Sequence, residues 1–440
     1  MQTFFPYKKL KDLGKKEENK ELFIHSLTAL IVRLGGAGAA FFMNVVIARY
    51  LGATEAGYFF LAVSITTVLA SIGRIGADQT ILKYVGIHSA MSEWSEMHGM
   101  MRKMMSWTYI PLLIITALVC VFSKQISVYG FHKAQLQWPL FWASLSMPFF
   151  AGYNVHGMAL QGLKKVFFSV TVLKILTPVF LIIMALILSP RDSSYASIYY
   201  TTACFLNLVL GYFWWHKYAP PAANKVKANT TELWQSSWPL WITSMMQQLT
   251  IWGGQLIAGF FLAPDKIAQL AIARNTSALV VFILMAVNNV SAPRFAAMYR
   301  KGEMNKLKNY ARNSTLLMTV IALPVTLIIW FFPSQIMSLF GKDFTEGIWY
   351  LRIISIGQFI NVITGSVSSL LIMSGHEKDL KNLRLINGAL AIVLAIVLTA
   401  YFGALGSAIS TAVATASFNL MAVRQVKKRL GFNTMSLFGL

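Results

Sequence analysis

The sequence predicts an all-α polytopic membrane protein of about twelve transmembrane helices, arranged as two parallel six-helix bundles. Three observations predict it. Apolar residues make up 56% of the 440-residue chain and charged residues only 12%, half the ~25% of an ordinary soluble domain. Apolar stretches long enough to cross a bilayer recur along almost the whole chain, as at residues 166–189, 315–332 and 385–401. A crossing takes ~20 apolar residues, because a helix rises ~1.5 Å per residue through ~30 Å of hydrocarbon. Short similarities also recur at nearly one offset: residues 47–57 match 257–268, Lys83-Tyr84 matches Arg294-Phe295, and Leu160-Gln161-Gly162 matches Met373-Ser374-Gly375, at shifts of 210 to 213.

Taken in order, residues 1–23 form a Lys-rich polar tail with none of the apolar core of a cleavable leader. The first bundle, 24–216, holds spans at 24–48, 57–77, 105–123, 137–160, 166–189 and 194–215. Between its second and third spans, residues 78–104 have the mixed Met, His and charged spacing of an interfacial amphipathic segment. A linker follows at 217–233, carrying Pro220 and Pro221. The second bundle, 234–423, has spans at 234–263, 267–292, 313–333, 347–374, 383–401 and 403–423, before a basic tail at 424–440. Six spans per half is an even number, so the halves run parallel about an axis along the membrane normal.

Charge sets the orientation. Of the Lys and Arg residues in the tails and hinges, with Arg384 at the start of its span counted among them, 27 fall on the side of the N-terminus and six on the other: Arg49, Lys124, Lys133, Arg191, Lys266 and Lys342. The positive-inside rule then makes both termini cytoplasmic. The same distribution explains the net charge of +22 by headgroups and orientation, so no nucleic-acid partner is expected. Cys120 and Cys204 both lie in apolar spans, and no His/Cys cluster offers a metal site. Neither a metal nor a cofactor is expected. Nor does any Ser/His/Asp, Cys/His or paired-carboxylate arrangement point to an enzyme, and the far-side hinges leave no room for a catalytic domain.

Ionised groups inside spans are costly, by about 2.5–3.5 kcal/mol on insertion scales. Setting aside Arg384, which opens its span and is counted with the hinge charges, those within the predicted spans are Arg33, Arg74, Lys174, Arg274 and Arg352, whereas the one carboxylate near a span interior is Asp78, able to pair with Arg74 four residues away. Arg352 is placed to snorkel to the membrane face. The remaining four, Arg33, Lys174, Arg274 and Arg74, are the candidates for a cationic cavity. A lining of cations without matching anions suits a negative cargo, such as a phosphate or diphosphate. Amides supply a second polar set in Asn154, Gln248, Gln255, Asn275, Gln358 and Asn361. With Trp238, Trp241 and Trp252 alongside, they offer hydrogen bonds and flat apolar faces to a sugar.

Several stretches resemble the polysaccharide flippase family, within the superfamily that also contains multidrug-and-toxin exporters. They are ARYLGATEAGY at 48–58, SAPRFA at 291–296, LFGKDF at 339–344, GSVSSLLIMSGHEK at 365–378 and YFGALGSA at 401–408. The resemblance implies two six-helix bundles around a central cavity that opens alternately to either side. It implies a flippase of the bacterial inner membrane moving undecaprenyl-pyrophosphate-linked oligosaccharide, such as O-antigen or other lipopolysaccharide repeat units, outward. Its partners would be that lipid-linked substrate, membrane lipids, and a polysaccharide polymerase with its chain-length regulator. The alternative within the same fold is a cation-coupled multidrug exporter, whose ion-binding carboxylate has no counterpart in these spans.

Overall fold

Lipid offers the peptide backbone no water to bond, so an open chain crosses it only as helix. The computed structural model, which describes residues 7–224, 226 and 229–435, follows that constraint: among the described residues there are helices and turns and no strand. The predicted tails and linker therefore lie partly outside the described residues. The helices are α1 (Tyr7–Gly73), α2 (Ala77–Met91), α3 (Trp94–Val121), α4 (Gln137–Ser144), α5 (Ser146–Gly162), α6 (Val166–Leu188) and α7 (Ser193–Tyr218) in the first lobe. The second lobe holds α8 (Thr230–Phe261), α9 (Pro264–Ser277), α10 (Phe282–Arg300), α11 (Met304–Phe331), α12 (Ile348–Ile363), α13 (Val367–Met373) and α14 (Glu377–Leu430).

Eight helical segments among the described residues are long and apolar enough to cross a membrane. Two of them are doubled. Segment 32–73 bends back at Gly52 (φ 69°, ψ 178°), and α14 does so at Gly403 (φ 58°, ψ −136°). Only a residue without Cβ adopts those angles cheaply, so a single glycine turns each pair of spans. The fourth crossing is broken between α4 and α5, and α8 supplies the seventh. Among the described residues twelve passages result, as the apolar pattern predicts.

The halves repeat in structure as well. Helices α3 and α11 are both 28 residues long and begin 210 residues apart. Each is followed by a short far-side helix, at Ser123–Gln125 and at Pro333–Ser338. The turn ending the fourth crossing has positive φ at Lys164 and its counterpart has it at Gly375. In α6 the chain widens into a π turn at Thr171–Ile175, because Pro178 has no N–H to donate to the carbonyl of Lys174 four residues back. On the basic face, Arg429 closes the hairpin of α14 with two hydrogen bonds to Asp379, 2.6 and 3.1 Å, and holds that carboxyl down to about 2.

The lobes touch at both membrane faces. On the far face Arg49 donates to Leu339 O (2.7 Å), Lys133 to Gly259 O (2.8 Å), and Phe131 stacks on Phe260 with ring centres 4.3 Å apart. On the basic face Trp241 donates to Ile72 O (2.9 Å), and the Thr80 and Ser237 hydroxyls lie 3.0 Å apart. The closest approach is at Gly57, where an added Cβ would sit 1.9 Å from Pro264 O. Overpacking usually costs about 1–3 kcal/mol, and a backbone atom yields less than a side chain. Gly57→Ala is therefore expected to lower the heat-unfolding midpoint of the purified protein clearly. Gly35→Ala, whose added carbon meets nothing within 4 Å, is expected to leave it unchanged.

Candidate functional site

Among the described residues, two cavities inside the bundle stand out. One lies between the lobes, with a volume of about 280 Å³, lined from α1 by Ala37, Ala40, Phe41 and Asn44 and from the second lobe by Trp252, Gln255, Arg274 and Asn275. The other, of about 500 Å³, is built wholly by the second lobe, from α8, α9, α12, α13, α14 and Met285 of α10. Gln255, Ala271 and Arg274 line both, so they form the common wall. Among the described residues no Asp or Glu lines either cavity, whereas Arg274 lines both and Arg384 the larger.

Arg274 is fixed by its surroundings. Helix α9 starts on Pro264 at the far face and buries Ile267 through Ala273, which leaves Arg274 at its inner end. Its Nη1 donates to Ile251 O at 3.0 Å, and its guanidinium lies 4.5 Å from the Trp252 ring centre. Both contacts orient the cation and neither neutralises it. Gln255 beside it is buried and donates Nε2 to Phe60 O across the lobes (3.2 Å). Its Oε1 has no hydrogen-bond partner among the described residues, which leaves a buried acceptor suited to a ligand hydroxyl.

The other cations predicted from sequence sit elsewhere. Arg33 is exposed and lies one helical turn toward the basic face from Ala37, on the side of α1 that carries Ala37, Ala40 and Asn44 into the inter-lobe cavity. Lys174 approaches it closely enough to feel its charge. Gly36 permits this, since a Cβ there would come within 2.8 Å of Lys174 Cβ. The pair flanks the cavity on its basic side. Arg74 is buried: it pairs with Asp78 at 3.2 Å, donates to Ser71 Oγ at 3.1 Å and lies 5.2 Å from the Phe150 ring centre. Arg352 donates to Trp330 O (3.1 Å) between the Trp330 and Trp349 rings, away from both cavities.

Of the amides, Asn275 lines the inter-lobe cavity, Asn361 the larger one, and Gln255 both. Gln248 instead donates to Ser71 Oγ (2.8 Å) across the basic-face contact, Asn154 donates to Phe150 O in its own helix (2.7 Å), and Gln358 accepts from Asn361 at 3.5 Å. The sequence reading missed Arg384, counted there among hinge charges, and the lining amides Asn44, Asn387 and Asn419. The spacing of Arg384, Asn387 and Ala391 along one helix face was the available signal.

Comparison with known proteins gives the fold a context. The model of the family described as "Polysaccharide biosynthesis protein" matches residues 25–299, and that of the family MatE matches residues 239–399. No curated protein sequence matches. Among solved structures, an inward-facing multidrug resistance MATE family transporter of the MOP superfamily superposes with a TM-score of 0.74 at 14% identity, over 91% of this chain and 98% of that one. The lipid II flippase MurJ in an inward closed conformation gives 0.73 at 17% identity, over 92% and 87%. A MOP superfamily transporter from Pyrococcus furiosus, described as having a binding pocket of reverse polarity, gives 0.65 at 13% identity, over 92% and 95%.

Proposed function

The chain belongs to the polysaccharide biosynthesis protein family, and from that premise we propose that it is a flippase for lipid-linked oligosaccharide. It carries undecaprenyl-pyrophosphate-linked repeat units, of O-antigen or a related polysaccharide, outward across the bacterial inner membrane by alternating access, with both termini cytoplasmic. The observation that carries the reading is the sign of the interior. Arg274 stands in the wall shared by two cavities that no carboxylate lines among the described residues. A desolvated guanidinium binds phosphate oxygens bidentately and strongly, and repels cationic drugs. Arg33 and Lys174, beside the inter-lobe cavity, draw the diphosphate in from the basic face. Asn275, Gln255 and Asn361 then meet sugar hydroxyls. Gln248 serves this role only if the lobes part, since it bonds Ser71 across them, and Asn154, Gln358 and Arg74, which line neither cavity, are engaged within their own lobes.

The second reading, a cation-coupled multidrug exporter, is favoured by the MatE match and by the multidrug transporters that share the fold. A strain lacking the protein separates the two. Loss of surface polysaccharide with build-up of lipid-linked repeat units supports the flippase; unchanged polysaccharide with new sensitivity to cationic dyes sinks it. Within the flippase, the double variant Arg33→Ala/Lys174→Ala is expected to cut polysaccharide output at least ~10-fold at normal membrane abundance, because both cations that meet the anion on the basic side are lost together. Normal polysaccharide in that variant would defeat the assignment of the pair.

A further inference from the structure

Resting on the reading above, we propose that the cavity of the second lobe receives the glycan and that Arg384 recognises an acidic group on it, so that the transported repeat units carry a sugar with a carboxylate or other negative substituent. The cavity is the larger of the two, about 500 Å³, and hydroxyls and amides, among them Asn361, Asn387, Ser410, Thr411 and Asn419, line it together with its two arginines. That composition suits a polyhydroxylated ligand that is also negatively charged.

The two arginines do not share one anion. Leu262 and Gly403 adjoin each other at the far face, which gives α9 and the first half of α14 a common origin. From there Arg274 is twelve residues in and Arg384 nineteen, so at ~1.5 Å per residue they lie ~10 Å apart along the bundle axis. Arg384 has no hydrogen bond or ion pair among the described residues and is half-buried. A guanidinium withdrawn from water without an anion is costly, so a second negative group, separate from the diphosphate, matches its position.

The test uses the full-length protein in nanodiscs of neutral phosphatidylcholine, titrated calorimetrically with inorganic pyrophosphate, trigalacturonic acid and neutral maltotriose. Trigalacturonic acid is expected to bind at least ~10-fold more tightly than maltotriose, as one charge-assisted hydrogen-bonded contact implies. Arg384→Gln is expected to erase that preference while leaving pyrophosphate and maltotriose unchanged, and Arg384→Lys to keep part of it. Equal binding of the acidic and neutral trisaccharides, or a preference untouched by Arg384→Gln, overturns the proposal. So does loss of the preference when phosphatidylglycerol is added, since lipid headgroups then hold Arg384. Failure of pyrophosphate alone to bind would count against the diphosphate site and leave the acidic-glycan site standing.

Discussion

Arg274→Ala is expected to abolish polysaccharide export while the protein accumulates normally in the membrane. The side chain lies in the wall common to both cavities, and its own contacts are one carbonyl, Ile251 O, and one ring, Trp252. Losing those contacts costs the empty protein little, because removing an unpaired cation from a low-dielectric interior also removes a desolvation penalty. The bound state has no such compensation. A desolvated charged contact truncated on one side typically loses 2–5 kcal/mol, a factor of at least ~30 in affinity. Arg274→Lys should recover only part, since an ammonium binds phosphate as a point charge rather than as a fork. The checks are surface polysaccharide in a complemented deletion strain, membrane abundance by immunoblot, and pyrophosphate affinity of the purified variant. Wild-type export by Arg274→Ala would remove this residue from the mechanism.

Asp78→Ala is expected to produce the largest loss of stability. Arg74 is only 6% exposed and Asp78 is its ion-pair partner at 3.2 Å. Deleting one member of a buried pair strands the other charge and commonly costs about 3–5 kcal/mol. The damage should spread, because Ser71 Oγ accepts from both Arg74 and Gln248 and so ties the pair to the contact between lobes on the basic face. Replacing both partners by apolar residues, as in Arg74→Met/Asp78→Leu, is expected to restore much of the loss, since no buried charge then remains. Heat unfolding of the purified variants in detergent reads the difference. A double variant no more stable than Asp78→Ala would mean that Arg74 is held by Phe150 and Ser71 instead.

Much of the fold is legible from two periodic quantities, apolar length and basic charge. The twelve passages follow from them, and so does the one-residue hinge between residues 401 and 403, which the structure realises at Gly403. The break at Gly52 is less visible, because residues 49–56 mix charge with small residues and helix continues on either side. For the site, the sign of the interior is legible, since the spans carry guanidinium and ammonium groups and almost no acid. Which cation meets which space is not. Arg74 and Arg274 look alike as isolated charges within apolar runs, yet one is paired and the other lines both cavities. Arg384 stands at the edge of an apolar run, where helix tilt and the neighbouring α8 and α12 decide whether it meets headgroups or a cavity. Those are packing facts that no single helix encodes.

The one-glycine reversals at Gly52 and Gly403 also constrain how the protein can be handled. At these corners the outer surface has no slack into which an epitope, fluorophore or fused reporter can be threaded without prying two helices apart. Probes of topology and of lobe motion belong instead just after Tyr218, where α7 ends on the opposite surface.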